Sequence, residues 1–343
     1  MMRLPLSWLL AFTTAALALL LLGSLATGPM TLTLGESLRA LFAGQESGIE
    51  SHKLLIVQEI RLPRTLLCIA VGGILGLCGA VMQGLFRNPL ADPGIIGVSG
   101  GAALGAALAI VLLAPLGQQL QATIGVGLLP LLAFLGGALT TTLVYLLGTR
   151  EGGTSVTVML LAGVAITALS GAVIGLLTYL ADDQMLRNLS LWQMGTLAAG
   201  KPADVALALL TLAALLWLFM RDANPLNALL LGEGEARHLG VNVQSLKRRL
   251  ILLTAAGVGV AVAVSGMIGF VGLVVPHLVR LLAGPNHVRL LPLSALLGAA
   301  LLLAADILAR TLLAPAELPV GIITALLGAP FFIWLLVKGR RAL

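Results

Sequence analysis

The sequence predicts an all-α, polytopic membrane protein of about ten transmembrane helices, folded as a single transmembrane domain over residues 1–343. Three observations lead there. Apolar residues make up 59% of the chain and charged residues only 10%, with a mean hydropathy of +1.07. A soluble domain carries about a quarter charged residues, so this chain has too little polar surface to cover itself. The apolar residues gather into runs near the ~20 residues that cross about 30 Å of hydrocarbon. Glycine is also abundant, with 41 residues, and small residues let helix backbones approach closely in a membrane.

The runs follow in order. Trp8–Ala26 comes after Arg3 as the core of a signal peptide would, but it is long and lacks a clear small-x-small cleavage site, so it reads as a span. Thr65–Phe86 ends near Pro89, which has no N–H with which to continue a helix. Gly94–Leu113, Gly125–Leu147, Val156–Leu180, Ala203–Met220 and Leu250–Gly266 are parted by polar or Gly/Pro-containing links. Phe270–Leu282 is short for a full crossing and follows a tight turn at Ser265–Gly269. Leu291–Arg310 and Gly321–Val337 complete the set.

Ten spans put both termini on one side. With that side inside, 13 of the 20 Lys and Arg lie within, and seven lie outside: Arg39, Lys53, Arg61, Arg64, Arg187, Lys201 and Arg310. The positive-inside rule then favours cytoplasmic termini. The outer loops are about 27–64 and 181–202, and the long inner loop is about 221–249. A pI near 10 reflects this orientation, and no nucleic-acid partner is expected. Cys68 and Cys78 are ten residues apart, about 15 Å along a helix, and read as packing residues. At an offset of 187, Arg61, Gly72, Gly79 and Pro89 fall on Arg248, Gly259, Gly266 and Pro276, the pattern of a faint inverted repeat.

Absent motifs narrow the function. There is no G-x-x-x-x-G-K-[ST] phosphate loop, no H-E-x-x-H and no C-x-x-C. Nor is there an inner loop large enough for a nucleotide-binding domain. Ionisable residues deep in the spans are almost missing, whereas an ion-coupled secondary carrier needs carboxylates or broken helices at mid-membrane, and an intramembrane enzyme needs converging ionisable groups. Another polypeptide is therefore expected to supply the energy. The inner loop, with Gly232, Glu233, Gly234, Glu235, Arg237, Leu239 and Gly240, predicts two short helices broken at Gly232–Gly234 and again at Gly240. It reads either as a solvated connector or as the docking element of a cytoplasmic motor.

Several blocks resemble the FecCD-type permeases, the membrane subunits of importers for ferric siderophores, haem and cobalamin. They are Arg61-Leu62-Pro63-Arg64, Gly79-Ala80-Val81-Met82-Gln83, Asn88-Pro89-Leu90-Ala91-Asp92-Pro93 and Gly97-Val98-Ser99-Gly100-Gly101-Ala102. Further on come Leu231-Gly232-Glu233 with Ala236-Arg237 and Leu239-Gly240-Val241, then Gly269-Phe270-Val271-Gly272-Leu273-Val274-Val275-Pro276-His277, and Glu317-Leu318-Pro319-Val320-Gly321. The resemblance implies the permease fold of a type II ATP-binding-cassette (ABC) importer. Two copies of the chain would enclose the pathway, with two ATPase subunits inside and a periplasmic substrate-binding protein outside. It also implies that ATP and Mg bind the ATPase, that this chain holds no cofactor or metal, and that it catalyses no covalent chemistry.

Site residues follow from the same resemblance. Arg61 and Arg64, at (i, i+3), and Arg310 would pair with acidic residues of the binding protein. The alternative is interfacial snorkelling with Glu59, Asp306 and Glu317 as local partners, and Asp306 and Arg310 stand at a favourable (i, i+4). Gly232, Glu233, Glu235, Arg237, Leu239 and Gly240 would couple to the ATPase. Asn88, Pro89 and Leu90 would lie at the inner gate, or simply end a helix. His52, His238, His277 and His287 read as structural or solvated, and the nine methionines as packing. The segment from Tyr179 to Arg187, with Leu191 to Leu197, looks most like haem permeases, so haem is the expected cargo, with ferric siderophore or cobalamin as alternatives.

Overall fold

A computed structural model describes residues 5–30, 32–42, 50–114, 127–150, 153–198 and 200–340. Among these, seven helices are long and apolar enough to cross a membrane and three apolar helices are shorter, so the ten predicted runs are all helical. The described elements, in order, are α1 (Leu6–Ala26), α2 (Leu34–Phe42) and α3 (Ser51–Leu55), which runs through a π-helical turn (Ile56–Arg61) into α4 (Leu62–Leu85). A 3-10 turn (Pro93–Ile96) precedes α5 (Val98–Val111), and a two-stranded hairpin (Thr149–Arg150 with Gly153–Thr154) joins α6 (Leu128–Gly148) to α7 (Val156–Leu180). Then come α8 (Asp183–Gln193), α9 (Pro202–Arg221), α10 (Ala223–Leu231), α11 (Glu233–His238), α12 (Val243–Ser265), α13 (Val271–Ala283), α14 (His287–Thr311) and α15 (Val320–Arg340). The predicted start of the fourth span at Gly125 lies outside the described residues, as do Arg3 and Arg341.

Edges differ from the sequence reading where capping or a break decides them. The seventh span begins seven residues early, at Val243, because Asn242 caps it by accepting from the Ser245 N–H at 3.1 Å. Both predicted outer loops contain helix, α2 and α3 in the first and α8 in the second. The third span shortens to 14 residues because Asp92 accepts from the Gly94 N–H at 2.7 Å and opens the separate 3-10 turn. Two of the four pairs of the 187-residue offset do not occupy equivalent places. Gly79 lies inside α4 but Gly266 follows the end of α12, and Pro89 lies in a link but Pro276 inside α13.

The core is built around α4, which is buried along nearly its whole length and packs on α9, α12, α13 and α14. Such close wrapping needs one side free of side chains. A Cβ on Gly72 or Gly76 would overlap the Gly298 or Ser294 carbonyl of α14, and one on Gly79 would overlap the Gly272 carbonyl of α13. Backbones thus meet directly, which stabilises the pair by close van der Waals contact where lipid provides no hydrophobic drive between helices. By contrast, α7 is largely exposed, and a Cβ on its Gly171 would meet nothing within 4 Å.

Gly76→Val should destabilise the permease by more than the ~1–3 kcal/mol of ordinary overpacking, because the obstacle is backbone. Gly171→Val should stay within ~0.5 kcal/mol. Thermal midpoints of the two variants in detergent test the contrast; equal midpoints would remove the seam from its central place.

Candidate functional site

Charged and polar side chains concentrate at the two ends of the bundle. At one end, the π-helical turn carries Arg61 and the first turn of α4 carries Arg64, facing Arg310 at the last turn of α14 and the end of α1. Asp306 is fully buried between two of them. Arg64 donates from Nε to Asp306 Oδ1 at 3.0 Å and from Nη1 to Glu317 Oε2 at 2.7 Å. Arg310 Nε lies 3.0 Å from Asp306 Oδ2, an ion pair without hydrogen-bond alignment, and its Nη2 donates to Ser24 Oγ at 2.8 Å. Ser24 in turn shares a 2.7 Å hydrogen bond with Thr65. Arg61 donates to the Leu25 and Ala26 carbonyls at 2.6 and 2.9 Å and to the Met30 carbonyl, and has no carboxylate among its described partners.

Each of the three arginines is 3–6% exposed, so the guanidiniums lie within the end of the bundle. The physical reason is local. The end of a helix leaves carbonyls without partners, and the end of α1 presents Leu25, Ala26 and Thr27 to Arg61 and Arg310. Of the expected local partners, Asp306 and Glu317 are engaged while Glu59 is exposed. The cluster nevertheless borders a cavity of about 250 Å³ lined by Gly28, Met30, Ile60, all three arginines and Glu317. Three guanidiniums stand against two carboxylates there, so the lining has an excess of positive charge.

At the other end, α10 and α11 form the predicted pair of short helices. The break is at Gly232 (φ 124°) and again at Gly240 (φ 82°), whereas Gly234 lies within α11. Glu235, Arg237 and Leu239 are exposed. Glu233 faces inward instead, with Oε1 2.6 Å from Lys247 Nζ, and it lies 3.8 Å from Arg237. The segment is fastened on both sides. Asn227 accepts from the His287 N–H at 2.8 Å and donates to Asn286 at 3.0 Å, while Asp222 accepts from Arg249 Nε at 2.8 Å. These anchors were not singled out in the sequence, since an Asn or Asp in a polar loop carries no mark of its partner.

The link after α4 lies at this same end. Asn88 Oδ1 accepts from the Leu90 N–H at 2.9 Å, and Pro89 and Leu90 border a closed apolar crevice with Leu273, Val274, His277 and Phe331. The structure thus brings Pro89 and Leu90, just after α4, against the first half of α13 and the middle of α15. His277 stacks edge-on to Phe331, His287 is buried against Asn227, and His52 and His238 are exposed. At the opposite end, the segment resembling haem permeases packs across α12 and α15. Thr196 N donates to the Ser265 carbonyl at 2.8 Å, and Gly321 N to the Met194 carbonyl at 3.1 Å.

Comparison with known proteins places these features in a lineage. The FecCD transport family matches residues 16–338. The hemin transport system permease protein HmuU of Yersinia pestis is 47% identical over 97% of this chain and 96% of its own length. The cobalamin import system permease protein BtuC of Halobacterium salinarum is 44% identical over 87% of this chain and 77% of its own length. A metal-chelate-type ABC transporter solved in an inward-facing conformation superposes with a TM-score of 0.82 at 34% identity, covering 97% of this chain and 99% of that one.

Asp306→Asn should destabilise the protein by ~3–5 kcal/mol, because it leaves two buried guanidiniums without their shared charge. Glu317→Gln, at a partly exposed carboxylate, should cost about 0–1 kcal/mol. Thermal or denaturant unfolding in detergent measures both; an Asp306→Asn midpoint equal to that of Glu317→Gln would show the network to be dispensable.

Proposed function

The chain belongs to the FecCD transport family and is a permease subunit of an ABC importer, a premise from which we propose that its cargo is haem. What supports haem is the likeness to a hemin permease, which runs through nearly the whole of both chains at higher identity than the likeness to the cobalamin permeases. The outer segment from Tyr179 to Leu197 adds to it. In this reading the termini face the cytoplasm, the end with α10 and α11 meets the ATPase subunits, and the arginine end meets the substrate-binding protein. Two copies enclose the pathway on a two-fold axis, because the apolar spans of one copy offer no polar stripe to line a pore. Asn88, Pro89 and Leu90 stand at its inner gate.

Coupling is assigned to the exposed side of the α10–α11 segment, where Glu235, Arg237 and Leu239 form the surface and Gly232 and Gly240 set its angles. Glu233 serves the same coupling from beneath, through its ion pair. Docking is assigned to Arg61, Arg64 and Arg310. An incoming carboxylate would enter the bordering cavity and compete with the Leu25, Ala26 and Met30 carbonyls for Arg61, and with Asp306 and Glu317 for the other two. Arginine suits this because its planar fork grips a carboxylate through two bonds.

The cargo test is uptake by the permease, reconstituted with its ATPase and binding protein in liposomes. ATP-dependent accumulation of haem should exceed that of cobalamin or a ferric siderophore by roughly tenfold, about 1.4 kcal/mol of discrimination. The reverse order would reassign the cargo and leave the importer reading intact.

The docking test uses Arg61→Gln, which leaves both carboxylate-bound arginines in place. Association of the binding protein should slow and lose part of its dependence on salt, because steering weakens with each charge removed. Equal on-rates at low and high salt for wild type and variant would leave the arginines as internal braces.

A further inference from the structure

Lys247 is buried to 2% exposure in the first turns of α12, at the end of the bundle assigned to the ATPase. Its Nζ lies 2.6 Å from Glu233 Oε1 on α11 and 3.1 Å from the Thr154 carbonyl of the α6–α7 hairpin. Three residues earlier, Gln244 Oε1 accepts from the Thr154 N–H at 3.1 Å. Gly153, at φ 111°, lets the strand approach so closely that a Cβ there would overlap the Gln244 amide. Thr154 is thus held through both of its backbone groups, and one cation joins the consecutive helices α11 and α12 to a hairpin residue 93 positions earlier. The hairpin leads directly into α7, whose first turn is capped by Ser155.

We propose that Lys247 is a positioning residue that passes movement of the α10–α11 segment to the hairpin and so to α7. This rests on the reading of that segment as the site where the ATPase acts. The physical basis is the cost of an unpaired buried ammonium. If α11 moves, the Glu233–Lys247 pair opens unless Lys247 follows, and Lys247 cannot follow alone without releasing the Thr154 carbonyl. A lysine meets both partners because its ammonium has three donors on a flexible stem. The neighbouring Asp222–Arg249 pair differs in degree and in which charge is buried: its carboxylate is buried and its arginine is 50% exposed, against a buried Lys247 and a Glu233 that is 33% exposed.

The experiment uses the whole importer in liposomes, with spin labels at His238→Cys in α11 and Leu161→Cys in α7, two exposed positions, both native cysteines being buried. In the otherwise native protein, ATP should shift both labels. Gln244→Leu, which leaves both Lys247 contacts in place, should keep both responses, whereas Lys247→Met should keep the α11 response and lose the α7 response. Haem moved per ATP should fall about fivefold or more, the lower edge of typical coupling, and Lys247→Arg should restore it. If Lys247→Met does not assemble with the ATPase, Lys247→Gln, whose shorter amide cannot span both partners, gives the same reading. An α7 label that responds normally in an assembled Lys247→Met or Lys247→Gln importer overturns the relay. An α11 label that ignores ATP in the otherwise native protein overturns the coupling assignment itself, and the relay with it.

Discussion

The bundle depends on one packing constraint: α4 has to be surrounded by other helices at backbone distance. In lipid, apolar side chains gain nothing from water by clustering, so helices associate through close van der Waals fit. Gly72, Gly76 and Gly79 on α4 meet Gly298, Ser294 and Gly272 of its neighbours, and those contacts set how near α13 and α14 come. That separation fixes the rest. It places the start of α4 beside the end of α14, where Arg64 reaches Asp306, and it places the end of α4 beside α13, where Gln83 donates to the Leu273 carbonyl at 3.1 Å.

The charged groups at the two ends answer different problems with the same chemistry. At the arginine end, carbonyls left over where α1 stops are satisfied by guanidiniums, which present several donors in a fixed plane. Asp306 keeps two of those cations compatible at short range. At the other end, a single lysine between Glu233 and Thr154 ties a surface helix to the interior. A buried ion pair adds little net stability over an apolar one but is costly to break on one side. Both networks therefore resist independent movement of the elements they join, a property suited to a machine whose two faces respond to different partners.

Some of the site was legible from residues alone because its chemistry is local. Asp306 and Arg310 are four apart on a helix and pair as that spacing predicts. The break at Gly232 and the turn at Gly240 follow from glycine's access to positive φ. The surroundings of Arg61 were not legible, since its partners are main-chain carbonyls of another helix, which no side-chain pattern encodes. Lys247 went unnoticed for a related reason. It sits in the run Lys247-Arg248-Arg249, which reads as a solvated basic patch, and only the approach of Thr154, 93 residues earlier, makes it buried.

The amino-acid sequence by itself determined the solvent, the all-helical class and the ten apolar runs, because a bilayer admits few ways to satisfy a backbone and apolar length records them directly. It also placed helix ends beside Pro89, Gly232 and Gly240. Tertiary structure alone decided which helix became the centre, which glycines carry the close approaches, and which charges turn inward. Those outcomes depend on contacts between residues tens to hundreds of positions apart, such as Arg64 with Asp306 or Thr154 with Lys247. Such pairs are set by the distances between packed helices, and a linear pattern carries no record of them.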